Sequence, residues 1–168
     1  MSSLNRRSFV ALAAVSLLSA CASTMPIVPA GPRDPLVLTE DEIMTTVNAV
    51  RAANGRAPWT YNARLAEAAS NHCKLMAASD KLSHELGGSL RERVTAAGYL
   101  GAVGENLARG HGSLQQAMSG WLDSPGHRGT LLSDKFIEFG LSVARAPKGK
   151  PYWALIAGGS FDAWRVYG

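Results

Sequence analysis

Cysteine is almost missing from this sequence. Among 168 residues there are only two, Cys21 and Cys73, and Cys21 stands at the small-residue site that ends an export signal. A cysteine at such a site can be acylated, as argued below, and Cys73 would then be the only thiol left. We therefore expect no internal disulfide even in an oxidising compartment. A disulfide-stapled secreted scaffold is therefore excluded, and the chain must fold around an ordinary hydrophobic core.

Runs of positive charge are also missing. The formal net charge is +4, from 17 Lys and Arg against 13 Asp and Glu, and it falls to +2 when Arg6 and Arg7 leave with the signal. The remaining basic residues stand singly, with no Lys/Arg cluster that could follow a phosphate backbone. Nucleic acid is therefore excluded as a partner.

The chain has no apolar run long enough for a permanent transmembrane helix. The N-terminal run "FVALAAVSLL" follows the basic segment "MSSLNRR" and is much shorter than the roughly 20 residues that a membrane span requires. This order predicts a signal peptide over residues 1–20. Arg6 and Arg7 beside Phe9 also resemble a twin-arginine signal, although paired arginines occur in general-secretion signals too.

The end of this signal predicts a lipid anchor. Leu18-Ser19-Ala20-Cys21 resembles a lipobox, the bacterial signal at which the cysteine is acylated and becomes the new N-terminus. We therefore expect an exported protein that is attached through Cys21 to a membrane of the bacterial cell envelope. Because Ala22 follows, no acidic inner-membrane retention signal is present, which favours the outer membrane or the periplasmic face.

The rest of the chain divides into a tether and one domain. Residues 21–37 contain four prolines and predict an extended tether, and residues 38–168 predict a single domain. Helices are predicted first and most strands last, which favours an α+β fold with helices packed on a small antiparallel sheet. The signals are a capping box at Thr39 and Glu42, N-caps at Asn62 and Ser113, a short helix around Leu90–Ala97, a helical turn at Pro125, and strands in "GAVGENLARG", "FIEFGLSVARA" and "YWALIAGG".

Three short segments place an ionisable residue just outside a regular element. They are "KLSHE" with His84, "GENLARG" with Glu105 and "WLDSPGHRGTLL" with His127. Two imidazoles and a carboxylate in one cleft suit a divalent metal such as zinc, and the same groups suit proton transfer. The alternatives are that the histidines cap turns and that Glu105 forms a loop salt bridge to Arg109 or Arg128.

The order of these motifs resembles the bacterial branch of the CAP superfamily. The pattern is "SH", "GEN.A.G", "W..SPGHR..LL" and a late Tyr-Trp strand, from about Thr45 to Gly158. The superfamily includes the cysteine-rich secretory proteins, antigen 5 and the plant pathogenesis-related proteins. The resemblance implies an α-β-α sandwich whose cleft holds two histidines and two acids, here His84, His127, Glu105 and, as a shorter side chain, Asp123.

The resemblance also implies ligands. Relatives hold zinc or a similar cation on the histidine pair, some bind sterols or fatty acids, and proteolysis has been proposed for a few. We therefore expect a binding module that takes a divalent cation and a small amphiphile or peptide. The alternative is a metal-dependent hydrolase, a peptidase or esterase, at the same cleft; binding is favoured because no general base can be named.

The remaining polar residues in the motifs have structural explanations. Ser124 is expected to cap the turn that Pro125 begins, and Asn106 to satisfy backbone groups. Neither Ser83 nor Ser124 lies in a nucleophile elbow. His72 and Cys73 are expected in the core, and His111 in an exposed loop.

Overall fold

The computed structural model describes residues 34–165. The predicted signal at residues 1–20, the lipidation site Cys21 and most of the tether at residues 21–37 lie outside the described residues. Within residues 34–165 the chain forms five α-helices, four β-strands and a terminal 3₁₀ turn. The helices are α1 Glu40–Ala53, α2 Ala63–Ser79, α3 Leu90–Ala96, α4 Leu114–Asp123 and α5 Pro125–Leu131; the strands are β1 Thr60–Tyr61, β2 Ala102–Arg109, β3 Glu138–Arg145 and β4 Pro151–Gly159; the 3₁₀ turn is Phe161–Trp164.

Side-chain caps start the helices where the sequence predicted them. The Thr39 hydroxyl accepts from Glu42 N at 3.2 Å while the Glu42 carboxylate accepts from Thr39 N at 2.7 Å, so the capping box of α1 is confirmed. Asn62 Oδ1 accepts from Arg64 N and Leu65 N and starts α2. A further capping box, between Ser89 and Glu92, starts α3. Such caps satisfy amide groups that have no partner inside the helix.

The strands form one sheet in the order β1-β3-β4-β2. β4 pairs antiparallel with both β2 and β3, as the sequence predicted. The short edge strand β1 pairs parallel to β3 over two residues, so the sheet is mixed, and this one parallel pairing was not part of the predicted antiparallel sheet. Two residues are too few to show a period-2 pattern, so the sequence gives no signal for a strand at Thr60 and Tyr61.

Helices cover both faces of the sheet. Alternate residues of β4 face opposite sides: Trp153, Leu155 and Ala157 pack with one apolar cluster, and Tyr152, Ala154 and Ile156 with another. The first cluster includes side chains of α1, α4 and α5, and the second includes side chains of α2 and α3. The predicted α-β-α sandwich is confirmed. No helix in residues 34–165 has the length and hydropathy needed to cross a membrane.

Helix α2 lies directly on the sheet. A Cβ atom at Gly140 of β3 would collide with the backbone N of Ala66, so only glycine permits this approach of helix and strand. Leu65, Ala69, Cys73 and Met76 of α2 are fully buried, and their spacing of three to four residues places them on one face of the helix. α2 ends at Ser79, and the loop that follows it carries His84.

Candidate functional site

The loop that carries His84 is held by buried side chains. Arg93 Nη1 donates to the carbonyl oxygens of His84 at 2.6 Å and Gly88 at 2.8 Å. One residue before His84, the carbonyl of Ser83 accepts from His72 Nε2 at 3.0 Å. Hydrogen bonds from α3 and α2 therefore hold the main chain on both sides of His84, which fixes the backbone position from which the imidazole projects.

Glu105 lies in β2 between His84 and Arg93. Its Oε2 is 2.8 Å from His84 Nδ1, and its Oε1 accepts from Arg93 Nη2 at 2.6 Å. The side chains of Glu105 and Arg93 are only 2% and 7% exposed, whereas His84 is 55% exposed. The pair of Arg93 and Glu105 is therefore buried, and the imidazole lies on its solvent side.

This arrangement selects the tautomer of His84. A carboxylate that faces a guanidinium can only accept, so His84 Nδ1 carries the proton that points at Glu105. The lone pair of the neutral ring is then on Nε2, which has no hydrogen-bond partner among residues 34–165. A carboxylate behind one ring nitrogen and an open second nitrogen is the usual arrangement of a metal-binding histidine.

Arg93 is the functional residue that the sequence analysis missed. Glu105 was expected to pair with Arg109 or Arg128 if it formed a salt bridge; both partners were wrong, because Arg128 bonds to Asn54 instead and the ion pair is with Arg93. A signal was present: Arg93 lies three residues after Leu90, on the apolar face of α3. A charged residue on a buried helix face requires a partner in the core.

His127 lies in the first turn of α5. Pro125 occupies the first helical position as predicted, but Ser124 makes no side-chain capping bond, so the cap expected there was wrong. The main chain is held from the sheet instead: Asn106 Nδ2 of β2 donates to the carbonyl of His127 at 2.8 Å. The expected backbone-binding role of Asn106 is confirmed, from a fully buried position in a strand.

The pKa of the His127 imidazole lies below its ordinary value. Burial lowers the pKa of His127, and the positive charge of His84 nearby lowers it further. His127 is half-buried and neutral over a wider pH range than a free histidine. β2 thus supplies two neighbouring residues to the site: Glu105 holds the His84 ring, and Asn106 holds the His127 main chain.

Asp123 stands apart from these groups. It is the exposed last residue of α4, and it forms no hydrogen bond or ion pair with His84, Glu105 or His127. Across residues 34–165 no three histidine, cysteine, aspartate or glutamate side chains are grouped as a ready-made metal site. The role of Asp123 as a cleft acid stays a prediction. The candidate site consists of the two histidines and Glu105.

The other histidines and the thiol have structural roles. His72 is completely buried, as expected, and burial lowers its pKa. Cys73 is also completely buried, its thiol donates to Ser142 O, and burial strongly raises its pKa, which excludes a reactive thiolate. His111 lies in the loop between β2 and α4, as expected, but it is half-buried against Gly120 and its carbonyl accepts from Trp153 Nε1, so the expected exposure was wrong.

A groove with a mixed polar and apolar lining lies on another part of the domain. It has a volume of about 500 Å³ and opens between the segment before α1, the start of α2 and β3. Its lining combines apolar residues with a few polar ones, which are Glu67, Ser70 and Ser142. The apolar lining residues are Leu36, Val37, Leu38, Ile43, Tyr61, Ala63, Ala66, Leu141 and Val143.

Comparison with known proteins agrees with this fold and motif order. The model of the "Cysteine-rich secretory protein family" (CAP) matches residues 44–156. The chain is 32% identical over 111 residues to the "Uncharacterized membrane protein YlbC" of Bacillus subtilis, a match that covers 64% of this chain and 32% of that protein. The similarity thus spans about a third of the length of that relative.

Solved structures show the same fold. An extracellular protein containing an SCP domain from Bacillus anthracis superposes with a TM-score of 0.62 at 26% identity, over 78% of this chain and 45% of that one. An outer surface protein of Borrelia burgdorferi superposes with a TM-score of 0.63 at 17% identity, over 70% of this chain and 90% of that one. A cysteine-rich secretory protein of Staphylococcus aureus superposes with a TM-score of 0.60 at 22% identity, over 75% of this chain and 40% of that one. This chain, with its paired histidine motifs on an α-β-α sandwich, belongs to the CAP superfamily, in the bacterial SCP-like branch.

Proposed function

We propose that this protein is a cell-envelope binding module that holds a divalent cation, such as zinc, on His84 and His127. The observation that carries the proposal is the Glu105 carboxylate, which accepts from His84 Nδ1 at 2.8 Å and leaves Nε2 open. His127 supplies the second imidazole, and its lowered pKa keeps a neutral nitrogen available at neutral pH. Water would complete the coordination, as in open zinc sites.

Glu105 acts in this proposal as an orienting group and not as a ligand. Both of its oxygens already accept, one from His84 and one from Arg93. Arg93 balances the charge of the buried carboxylate, so the site can present two neutral nitrogens. Two protein ligands make a less demanding site than a cysteine cluster, and we expect micromolar rather than structural zinc affinity.

A hydrolase at this cleft has less support. Metal-assisted hydrolysis is commonly helped by a carboxylate that is free to take a proton from the metal-bound water. Glu105 is buried and bonded at both oxygens, and Asp123 makes no contact with the histidines. We therefore favour binding over catalysis.

The envelope location is also part of the proposal. The relatives include a protein described as extracellular, an outer surface protein and a membrane protein. These descriptions support export, and the lipobox-like residues before Cys21 are the support for a lipid anchor on the mature N-terminus. The groove of about 500 Å³, whose lining offers both polar and apolar surface, is where we expect a small amphiphile or the side chains of a peptide to bind.

Calorimetric titration of zinc into the mature chain tests the cation site. We expect binding that His84→Ala or His127→Ala abolishes and that Glu105→Gln weakens about 10- to 100-fold, since outer-shell carboxylates have effects of that size. His111→Ala is the matched control, because His111 is a half-buried histidine outside the site. Equal zinc affinity in the wild type and the double His84→Ala, His127→Ala variant would contradict the proposal.

Labelling with palmitate in cells tests the anchor. The wild-type chain should take up label and fractionate with membranes, and Cys21→Ser should do neither. Labelling that persists in Cys21→Ser, or no label on the wild type, would remove the anchor while leaving the cation site untouched.

A further inference from the structure

One end of the sheet carries an exposed apolar surface. At the end where β3 begins and β4 finishes, Leu100, Ile137, Phe161 and Trp164 are 72%, 64%, 55% and 45% exposed. We call these four residues the apolar patch. Single exposed apolar residues are ordinary, but several large ones in neighbouring segments indicate a binding surface.

Backbone contacts join the segments that carry the patch. Ile137 N donates to Gly158 O at 2.9 Å, next to the end of β4. Gly101, which follows Leu100, approaches Gly159 so closely that a Cβ atom would collide with its carbonyl oxygen. The Trp164 ring lies 5.6 Å from the ring of Phe136. The start of β2, the start of β3 and the turn after β4 therefore meet at one end of the domain.

Two cations border the patch and interact with its aromatic rings. The Arg91 guanidinium lies 5.4 Å from the Phe161 ring centroid and donates to Gly101 O. Lys135 Nζ lies 4.2 Å from the Trp164 ring centroid. Neither cation forms an ion pair with a carboxylate within the part of the chain that the structure describes. Arg165, by contrast, is paired with Asp162.

We propose that the apolar patch enters the headgroup region of an anionic lipid bilayer. The two most exposed members are aliphatic, and aliphatic side chains gain little on a glycan or nucleic acid but gain by transfer into acyl chains. Tryptophan beside a cation suits the interface between acyl chains and headgroups. Arg91 and Lys135 face anionic headgroups by charge complementarity.

The position of the N-terminal segment is compatible with this contact. Asp34 pairs with Arg145 at the other end of β3, and β3 has eight residues, or about 23 Å at 3.3 Å per residue. The twelve residues from 22 to 33 can span at most about 40 Å. A chain anchored through Cys21 can therefore still bring the apolar patch to the same bilayer.

The four tryptophans of the chain allow a direct test. Trp59, Trp121 and Trp153 are at most 2% exposed, so a quencher in the bilayer reaches only Trp164. The mature chain with Cys21→Ser, which lacks the acyl attachment, is mixed with vesicles of brominated phosphatidylcholine with or without phosphatidylglycerol. We expect quenching with phosphatidylglycerol present and little quenching without it.

Variants assign the binding to the apolar patch. Leu100→Ser with Ile137→Ser should weaken vesicle binding at least about tenfold, and Arg91→Gln with Lys135→Gln about 25-fold, at roughly fivefold for each charge. Leu75→Ser with Leu82→Ser is the matched control, because both residues are exposed but outside the patch, and it should bind as the parent does. Circular dichroism checks that each variant is folded.

Three results would overturn the proposal. The first is the absence of quenching with anionic vesicles. The second is equal binding by the patch variant and the control. The third is a concentration-dependent dimer that Leu100→Ser with Ile137→Ser dissociates, without any vesicle binding, since the patch would then be an interface between two copies. None of these results depends on zinc.

Discussion

Replacing Arg93 with methionine tests the buried centre of the site. The substitution keeps the aliphatic stem and removes a guanidinium that makes three contacts, with Glu105 Oε1, His84 O and Gly88 O. Glu105, which is 2% exposed, then keeps only the His84 imidazole as a partner. Removing one member of a buried ion pair costs about 3–5 kcal/mol, against a total stability of about 5–15 kcal/mol for such a domain.

Urea unfolding followed by tryptophan fluorescence measures this loss. We expect Arg93→Met to lower the free energy of unfolding by about 3–5 kcal/mol. Arg128→Met is the matched control: Arg128 is exposed and makes one bond, to Asn54, so its removal should cost at most about 1 kcal/mol.

A second substitution separates charge from packing. The double variant Arg93→Met, Glu105→Leu removes both members of the pair and should recover most of the stability that the single variant loses, because apolar replacement of a whole buried pair is close to neutral. It should still bind zinc poorly, since His84 has lost its orienting carboxylate. A loss of less than about 1 kcal/mol in Arg93→Met would refute the buried pair as the support of the site.

Three further predictions concern the rest of the domain. The Cys73 thiol should not react with a disulfide reagent in the folded chain and should react on unfolding, since it is buried and its pKa is raised; fast reaction of the native chain would contradict its position. With a chelator present, the free energy of unfolding should be highest above about pH 6.5 and fall as the pH drops below it. Burial lowers the pKa of both His72 and His127 in the folded state, so at low pH the unfolded chain binds more protons than the folded one. The dependence of the free energy of unfolding on pH should be weaker in a His72→Gln, His127→Gln variant. Gly140→Ala should destabilise the domain by at least about 3 kcal/mol in thermal unfolding, because the new methyl group collides with Ala66 N, while Gly129→Ala, with open space around it, should not.

Local signals in the sequence predicted the element boundaries well. The capping box at Thr39, the N-cap at Asn62 and Pro125 at the start of α5 were all confirmed. These features act within one helical turn, so a short window of sequence contains the whole cause. The two-residue strand β1 has no such local signal, because it forms by backbone pairing with the neighbouring edge of β3.

The site was predictable in its members but not in its contacts. Motif order identified His84, Glu105 and His127, and the structure brings the first two into direct contact. The partner Arg93 and the bond from Asn106 to His127 O depend on how α3, α5 and β2 pack together. Sequence spacing does not contain that information, although a charged residue on the apolar face of α3 indicated a buried partner.

The most direct test of the account is a spectrum of the histidine ring nitrogens that correlates them with ring protons, recorded before and after zinc is added. Without zinc, the account predicts a proton on Nδ1 of His84, facing Glu105, and a bare Nε2. With zinc, Nε2 of His84 and one ring nitrogen of His127 should shift, while His72 and His111 should not. A proton on Nε2 of His84, or a zinc-induced shift at His111 with none at His84, would contradict the proposed site.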